Sequence, residues 1–540
     1  MRKFRGNAWA ALLVVSLGFF MTLLDLTIVN IAIPNMIALL HASLDDILWV
    51  INAYALVLAV LLITAGRLGD IVGQRTMFTA GVIIFTAASA ACGLAPGPGW
   101  LIAFRALQGL GAAVLMPQTL AIITMVFPPE RRGAAFGVWG GVAGVATIAG
   151  PTLGGLLVTA FDWRYIFFIN LPIGAAVVVL ATILIPDIQT HRKHNLDIAG
   201  VLLATAALLA ICYGLVEGQR YNWGTIASFI TIPMVIGFGI VLLAIFLIVQ
   251  ATRQDREPLV PFALFRNRNF SLMNWVAATL TIAMMGIFLP LTIYLQSVLG
   301  FSALKAGLAL APASLVSMFV APVAGRLTDR VGGKYILIAG LTLFGAGMGW
   351  IALSAQTDSS ALDFLAPLIV AGFGMGCIFA PLSTVAMLDV KPQVAGAASG
   401  MLTTTRQVGA VIGTAAVGAL LQNRLAADWN SQALLRTRTL APPARTAVIS
   451  GFQHAASRGA GPGAGTGFRP QPGTPPALVK QIEAVYHAVF THGFVAALRP
   501  TMLMPIAVLA VAALSCLALR ADKPATPPVP TETAKAPSRA

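Results

Sequence analysis

The sequence predicts an all-α polytopic membrane protein. Of its 540 residues, 58% are hydrophobic and only 10% are charged, against about 25% charged in an ordinary soluble domain. Fourteen stretches are long enough to span, since a bilayer core takes about 20 apolar helical residues. Glycine is abundant, at 52 residues, as is common where membrane helices pack closely. Too few polar residues remain to cover a soluble surface, which excludes most cytosolic enzymes.

The first seven spans cover about 9–34, 47–66, 76–95, 100–125, 134–158, 166–185 and 198–217. The other seven cover about 226–250, 270–296, 304–325, 335–354, 361–388, 396–421 and 500–519. Arg2, Lys3 and Arg5 precede the first span and no small-residue cleavage site follows it, so it is expected to be a retained helix rather than a signal peptide. It carries Asp25, the only acidic residue well inside a span of the first half. A charge there is costly and marks a functional candidate. Span 4 carries Arg105, Gln108, Gly109 and Ala112 at i, i+3, i+4 and i+7, one helix face. Arg105 is the candidate partner of Asp25: its long side chain can bridge the few ångströms of depth between them. The alternative is a static pair that fixes packing. Gln108 suits either the guanidinium or a substrate group, while Gly109 suits helix packing.

Span 5 carries Gly140, Gly144, Gly150, Pro151, Gly154 and Gly155. Proline removes a backbone hydrogen bond and bends a helix, and glycines let a neighbour approach. Arg406 lies inside span 13 beside Thr403 and Gln407, and serves substrate or structure. Met21, Met116 and Phe288 are candidates for an adaptable apolar pocket, with plain core or lipid contact as the alternative. Residues 422–499 are expected to form a long outer loop with a low-complexity centre, 457–476. A short amphipathic helix on the outer surface is expected near Ile482, Val485 and Val489. The Pro-, Ala- and Thr-rich tail after Arg520 is expected to be disordered.

The net charge of +15 comes from 34 Lys and Arg against 19 Asp and Glu. With the N-terminus inside, 21 of the basic residues fall in inner segments and three in the six short outer loops. Eight more lie in 422–499, and Arg105 and Arg406 lie within spans. That asymmetry follows the positive-inside rule; it places both termini in the cytoplasm and makes nucleic-acid binding an unneeded explanation. Cys92, Cys212, Cys377 and Cys516 all lie in apolar runs, and His191 and His194 have no ligating neighbours, so neither a disulfide framework nor a metal site is expected.

The stretch Gly66–Arg75, GRLGDIVGQR, repeats as Gly325–Lys334, GRLTDRVGGK, 259 residues later. Both copies fall on the inner side, eight spans apart. Two parallel six-helix halves with two helices inserted between them account for this, an architecture of secondary transporters. The expected division is 1–190 and 266–521 for the two bundles, the latter including the 422–499 loop, with 191–265 for the insert and 522–540 for the tail.

Four further stretches join the repeat: LLDLTIVNIAIP (23–34), LIAFRALQGLGAA (101–113), GGVAGVATIAGPTLGG (140–155) and WRYIFFINLPIG (163–174). Together, and in this order, they resemble the fourteen-span drug:proton antiporter branch of the major facilitator superfamily, across the whole membrane part. The resemblance implies a transporter rather than an enzyme, with no cofactor and the proton gradient as its drive. Its location would be the cytoplasmic (inner) membrane of a bacterium. The expected partners are protons, the bilayer and small amphipathic or cationic substrates, with no nucleic acid. A monomer is expected, and a periplasmic adaptor is left open.

The resemblance also implies proton coupling through Asp25 and Arg105, and a cytoplasmic latch at Gly66, Asp70, Gly73 and Arg75, repeated in part at Asp329 and Arg330. Asp70 lies where span 2 ends, placed to face a helix N-terminus or a guanidinium. A bend at Gly150, Pro151 and Gly154 favouring antiport over leak rests on the resemblance too. Export of drugs or other amphipathic compounds is the expected function, and a dedicated exporter of one metabolite or self-made antibiotic is the alternative. An ATP-driven pump is disfavoured by the absence of a G-x-x-x-x-G-K-[ST] loop. A non-transporting receptor is disfavoured by the duplicated motif and buried Asp25.

Overall fold

A computed structural model of the chain describes residues 7–40, 42, 44–186, 197–218, 220–221, 223–254, 258–458 and 476–520. The first half comprises α1 (Ala8–Leu40), α2 (Leu44–Val72), α3 (Gln74–Gly93), α4 (Pro98–Val126), α5 (Arg132–Ala160), the single turn α6 (Tyr165–Phe168) and α7 (Asn170–Leu184). Next come α8 (Ile198–Glu217) and α9 (Ile232–Thr252), joined through a hairpin of β1 (Thr225–Ala227) and β2 (Ile230–Thr231). After the short α10 (Ala263–Arg266), the second half comprises α11 (Arg268–Ile293), α12 (Ala303–Val331), α13 (Lys334–Ser354), α14 (Leu365–Met387), α15 (Ala395–Arg436), α16 (Pro442–Arg458) and α17 (Pro476–Cys516). Helix starts use polar caps: the side chains of Asp197, Asn267 and Ser302 accept the first free amides of α8, α11 and α12.

Among the described residues, thirteen helices are long and apolar enough to cross a membrane. The fifth expected span, 134–158, falls on α5, a 29-residue helix outside that set. Large apolar side chains such as Leu13, Phe238, Phe319 and Leu353 are exposed, as a belt facing lipid requires. The chain is a multi-pass membrane protein.

Helices α1, α2, α3, α4, α5 and α7 pack on one another, and so do α11 to α15 and α17; the two groups meet where α5 crosses α12 and α2 crosses α15. Glycine makes both crossings close. A Cβ at Gly133, Gly137 or Gly144 would collide with the backbone of Gly325, Ala321 or Ser314, and one at Gly66 with the backbone of Gly396 and Gly400. Such contacts are the usual way for membrane helices to gain packing when water does not drive them together. Helices α8 and α9 pair, and Ala204, Leu208 and Cys212 of α8 rest against Leu56, Val60 and Ile63 of α2.

The region expected as an outer loop, 422–499, is largely helical. Helix α15 runs on to Arg436, and the expected surface helix is instead the first part of the 41-residue α17. Trp429 stacks on Phe490 at 5.5 Å, Phe452 stacks on Tyr486 at 4.3 Å, and the Trp429 indole N–H donates to the Phe490 carbonyl. Burying these rings binds α15, α16 and α17 together; a helix lying alone on lipid would leave them apart. The centre of the low-complexity stretch, 459–475, and the tail, 521–540, lie outside the described residues, as do His191 and His194.

Candidate functional site

Helices α1, α2 and α4 bring one polar cluster together inside the first bundle. Asp25, Arg105 and Gln108 are all buried, none more than 1% exposed. Arg105 Nη1 is ion-paired to Asp25 Oδ2 and also donates to Gln108 Oε1 at 2.7 Å. Gln108 Nε2 donates to Asp25 Oδ1 at 2.9 Å, closing a ring of three side chains. Arg105 Nε donates to the Val50 carbonyl at 3.1 Å, and the guanidinium lies 4.4 Å from the centre of the Tyr54 ring. The adjacent Gly109 presses on the Tyr54 backbone, so the α4 face serves both polar contact and packing.

Val50 and Tyr54 are not legible in the sequence. A backbone acceptor has no residue signature, and one tyrosine in an apolar helix looks like core. Gly150 and Gly154 of α5 lie against Thr27 and Ile28 of α1, next to Asp25. Pro151 is within the unbroken helix α5, and its side chain lies outside the described residues. The glycine face of α5 therefore sets how close α1 comes beside the polar ring.

The two repeated acids form a second constellation where the two halves meet. Asp70 Oδ1 and Oδ2 accept from Gly396 N at 2.7 Å and Ala397 N at 2.8 Å, the first amides of α15. Gln74 donates to the same carboxylate at 3.0 Å. Asp329 accepts from Gly133 N at 2.7 Å and Ala134 N at 2.8 Å, the first amides of α5. Each half thus places a carboxylate on a helix N-terminus of the other half, where free N–H groups and the helix dipole favour negative charge.

The acceptor sites carry their own repeat, GAAFG at 133–137 and GAASG at 396–400, a signal by which the sequence could have given the partners. Gly73 has a φ of 105°, a left-handed conformation that favours glycine. Arg75 donates to the Thr182 carbonyl at 3.0 Å, tying α3 to α7. Arg330 is exposed. Nothing in the sequence marks Arg132 as more than a basic residue between spans. It donates to Thr124 and Phe127 carbonyls at the end of α4 and to Met387 and Leu388 carbonyls at the end of α14, the favourable place for a cation.

The remaining candidates divide between the bundles, Met21 and Met116 in the first and Phe288 and Arg406 in the second. Met21 is fully buried in the core and Met116 partly buried against it. Phe288 packs near Phe344 of α13, 6.4 Å between ring centres. Arg406 lies in the other bundle with its guanidinium 4.9 Å from the centre of the Phe379 ring. Among the described residues no group of three or more His, Cys, Asp or Glu is placed to hold a metal ion.

The profile of the Major Facilitator Superfamily matches residues 15–414. An uncharacterized MFS-type transporter of Mycobacterium tuberculosis, Rv1250, is 40% identical over 422 residues, which are 78% of this chain and 72% of that protein. The tetracenomycin C resistance and export protein of Streptomyces glaucescens is 34% identical, covering 86% of this chain and 84% of its own length. The multidrug resistance protein Stp of Mycobacterium tuberculosis is also 34% identical, over 77% of this chain and 76% of that protein. Among solved structures, the human organic anion transporter MFSD10 is similar with a TM-score of 0.56 at 13% identity, over 93% of this chain and 99% of that one. That likeness concerns the fold alone.

Proposed function

The chain belongs to the major facilitator superfamily, and from that premise we propose that it is a proton-coupled antiporter exporting drugs or other amphipathic organic compounds across the cytoplasmic membrane. The observation that carries the proposal is the ring of Asp25, Arg105 and Gln108. Every partner of the Asp25 carboxylate is a donor: Arg105 Nη1 on one oxygen and Gln108 Nε2 on the other. A proton arriving on Asp25 therefore has no acceptor within the ring. It must break the link to Arg105 or turn the Gln108 amide, which is itself held by Arg105. Protonation thus changes the packing of α1 against α4, as proton–substrate exchange requires. A cationic substrate pairing with the same carboxylate would displace the proton.

Names of the relatives support export: a tetracenomycin C resistance and export protein, a multidrug resistance protein and a probable actinorhodin transporter. The second reading, a dedicated exporter of a single metabolite or self-made antibiotic, is favoured by the first and third of these, each named for one compound. A substrate panel on drug-sensitive cells separates the two. Resistance to several unrelated compounds, lost with Asp25→Asn, is the expected result; resistance to one compound supports the dedicated exporter, and resistance to none contradicts export.

The Asp70 and Asp329 contacts act in this reading as a clasp that closes the cytoplasmic side, with both termini also cytoplasmic. Charge-assisted hydrogen bonds contribute about 1.5–3 kcal/mol, so replacing both acids with asparagine should favour inner opening about tenfold or more. Ser399, fully buried just past the clasp, reports on it. A cysteine there should react with a membrane-impermeant thiol reagent faster in the double variant, and only from the cytoplasmic face. Labelling from the outer face would contradict the orientation, and an unchanged rate would contradict the clasp.

A further inference from the structure

Two arginines lie well inside the spans. Arg105 is neutralised by Asp25. Arg406 has no carboxylate partner among the described residues, and its contact is the face of Phe379 at 4.9 Å. A cation–π contact offsets only part of what it costs to hold a guanidinium inside a membrane protein. A cation kept there without a counter-ion is poised for an anion that arrives from elsewhere.

Its position says what kind. Arg406 is eleven residues past the start of α15 at Ala395, about 16 Å along the helix, too deep for a lipid headgroup at the inner surface. It shares a helix face with Ser399, seven residues earlier. That Ser399 hydroxyl donates to the Pro117 carbonyl of α4 in the other half, at 2.8 Å. The face is thus turned toward the opposite bundle, not toward lipid. Phe379 in turn lies where α14 meets α5: a Cβ at Gly140 would rest 3.5 Å from the Phe379 Cβ. The next residue back, Trp139, stacks on Phe19 of α1 at 4.2 Å, and its buried indole N–H has no hydrogen-bond partner. The guanidinium and the Phe379 ring therefore border the seam between the bundles, while Trp139, one helix position from Gly140, lines α5 on its α1 side.

We propose that Arg406, steadied over the Phe379 ring, forms an anion subsite for a substrate bearing a carboxylate or an ionised phenol, the guanidinium binding the charge. This rests on the export reading and adds the substrate's acidic group to it. Asp25 in the first bundle and Arg406 in the second would then select opposite charges.

A matched pair tests it: a rhodamine with a free carboxylate and its methyl ester, binding to the full-length protein in nanodiscs. Wild type should bind the acid about tenfold or more tightly than the ester, the worth of one charge-assisted hydrogen bond. Arg406→Gln should remove that preference and leave ester binding unchanged, which also reports that the variant is folded. Arg406→Lys, which keeps the charge but not the fork, should retain part of it. An acid-to-ester ratio equal in wild type and Arg406→Gln overturns the subsite, as does wild type that binds neither dye or prefers the ester. Export of panel compounds by the same preparation in vesicles distinguishes the failures. Active export without acid preference overturns only the subsite, whereas no export of any compound overturns the reading beneath it.

Discussion

Asp25→Asn protein in liposomes is expected to lose uphill, pH-driven export by about a hundredfold or more while remaining folded. The amide is nearly isosteric with the carboxylate but cannot take up and release a proton. It also replaces one acceptor of the ring with a donor, facing either Arg105 or Gln108. One donor–donor contact costs about 1–3 kcal/mol, tolerable for a helix held along its length by α4, α5 and α7. The loss of coupling is larger, because a two-state transporter whose switching group is fixed in one form responds to the gradient in neither direction. Downhill exchange of substrate, which needs no change of protonation, should survive.

Arg105→Ala is expected to be the most destabilising single change in the first bundle. It strands the Asp25 carboxylate and removes the partner of Gln108 Oε1 and of the Val50 carbonyl. Removing one partner of a buried ion pair costs about 3–5 kcal/mol, and the lost stacking on Tyr54 adds to it. Much of that is the stranded charge, so Asp25→Ala combined with Arg105→Ala should be less harmful than Arg105→Ala alone. Denaturation midpoints of the four proteins in detergent measure the coupling. Additive losses would mean that the two side chains do not depend on each other.

Charges in apolar helices are visible without a structure, because lipid makes them costly. That is why Asp25, Arg105 and, through the helical period, Gln108 are legible as one site. The repeat at Asp70 and Asp329 is legible as a motif, and its place at a helix end suggests a helix dipole. Its partners are less so, since they are backbone amides of Gly396, Ala397, Gly133 and Ala134. Only the weak GAAFG and GAASG pair points to them. Arg132 looks like one more basic residue of an inner loop, and its four carbonyl partners belong to helix ends brought together by the fold.

Residues 422–499 are misjudged for a different reason. Eight basic residues and a Gly- and Pro-rich centre have the composition of a loop. What makes most of the rest helical is the meeting of Trp429, Phe452, Tyr486 and Phe490 from three segments, a tertiary contact that periodicity along one segment does not reveal.

In this reading proton movement and substrate movement share Asp25, and proton flux reports that sharing. Liposomes holding wild-type protein and a pH-sensitive dye, given an outward gradient of the most active panel compound and no initial pH difference, should move protons against the substrate's direction. Asp25→Asn liposomes should still let the compound run down its gradient with no proton flux above that of empty liposomes. Equal proton flux per substrate moved in wild type and Asp25→Asn would contradict the account.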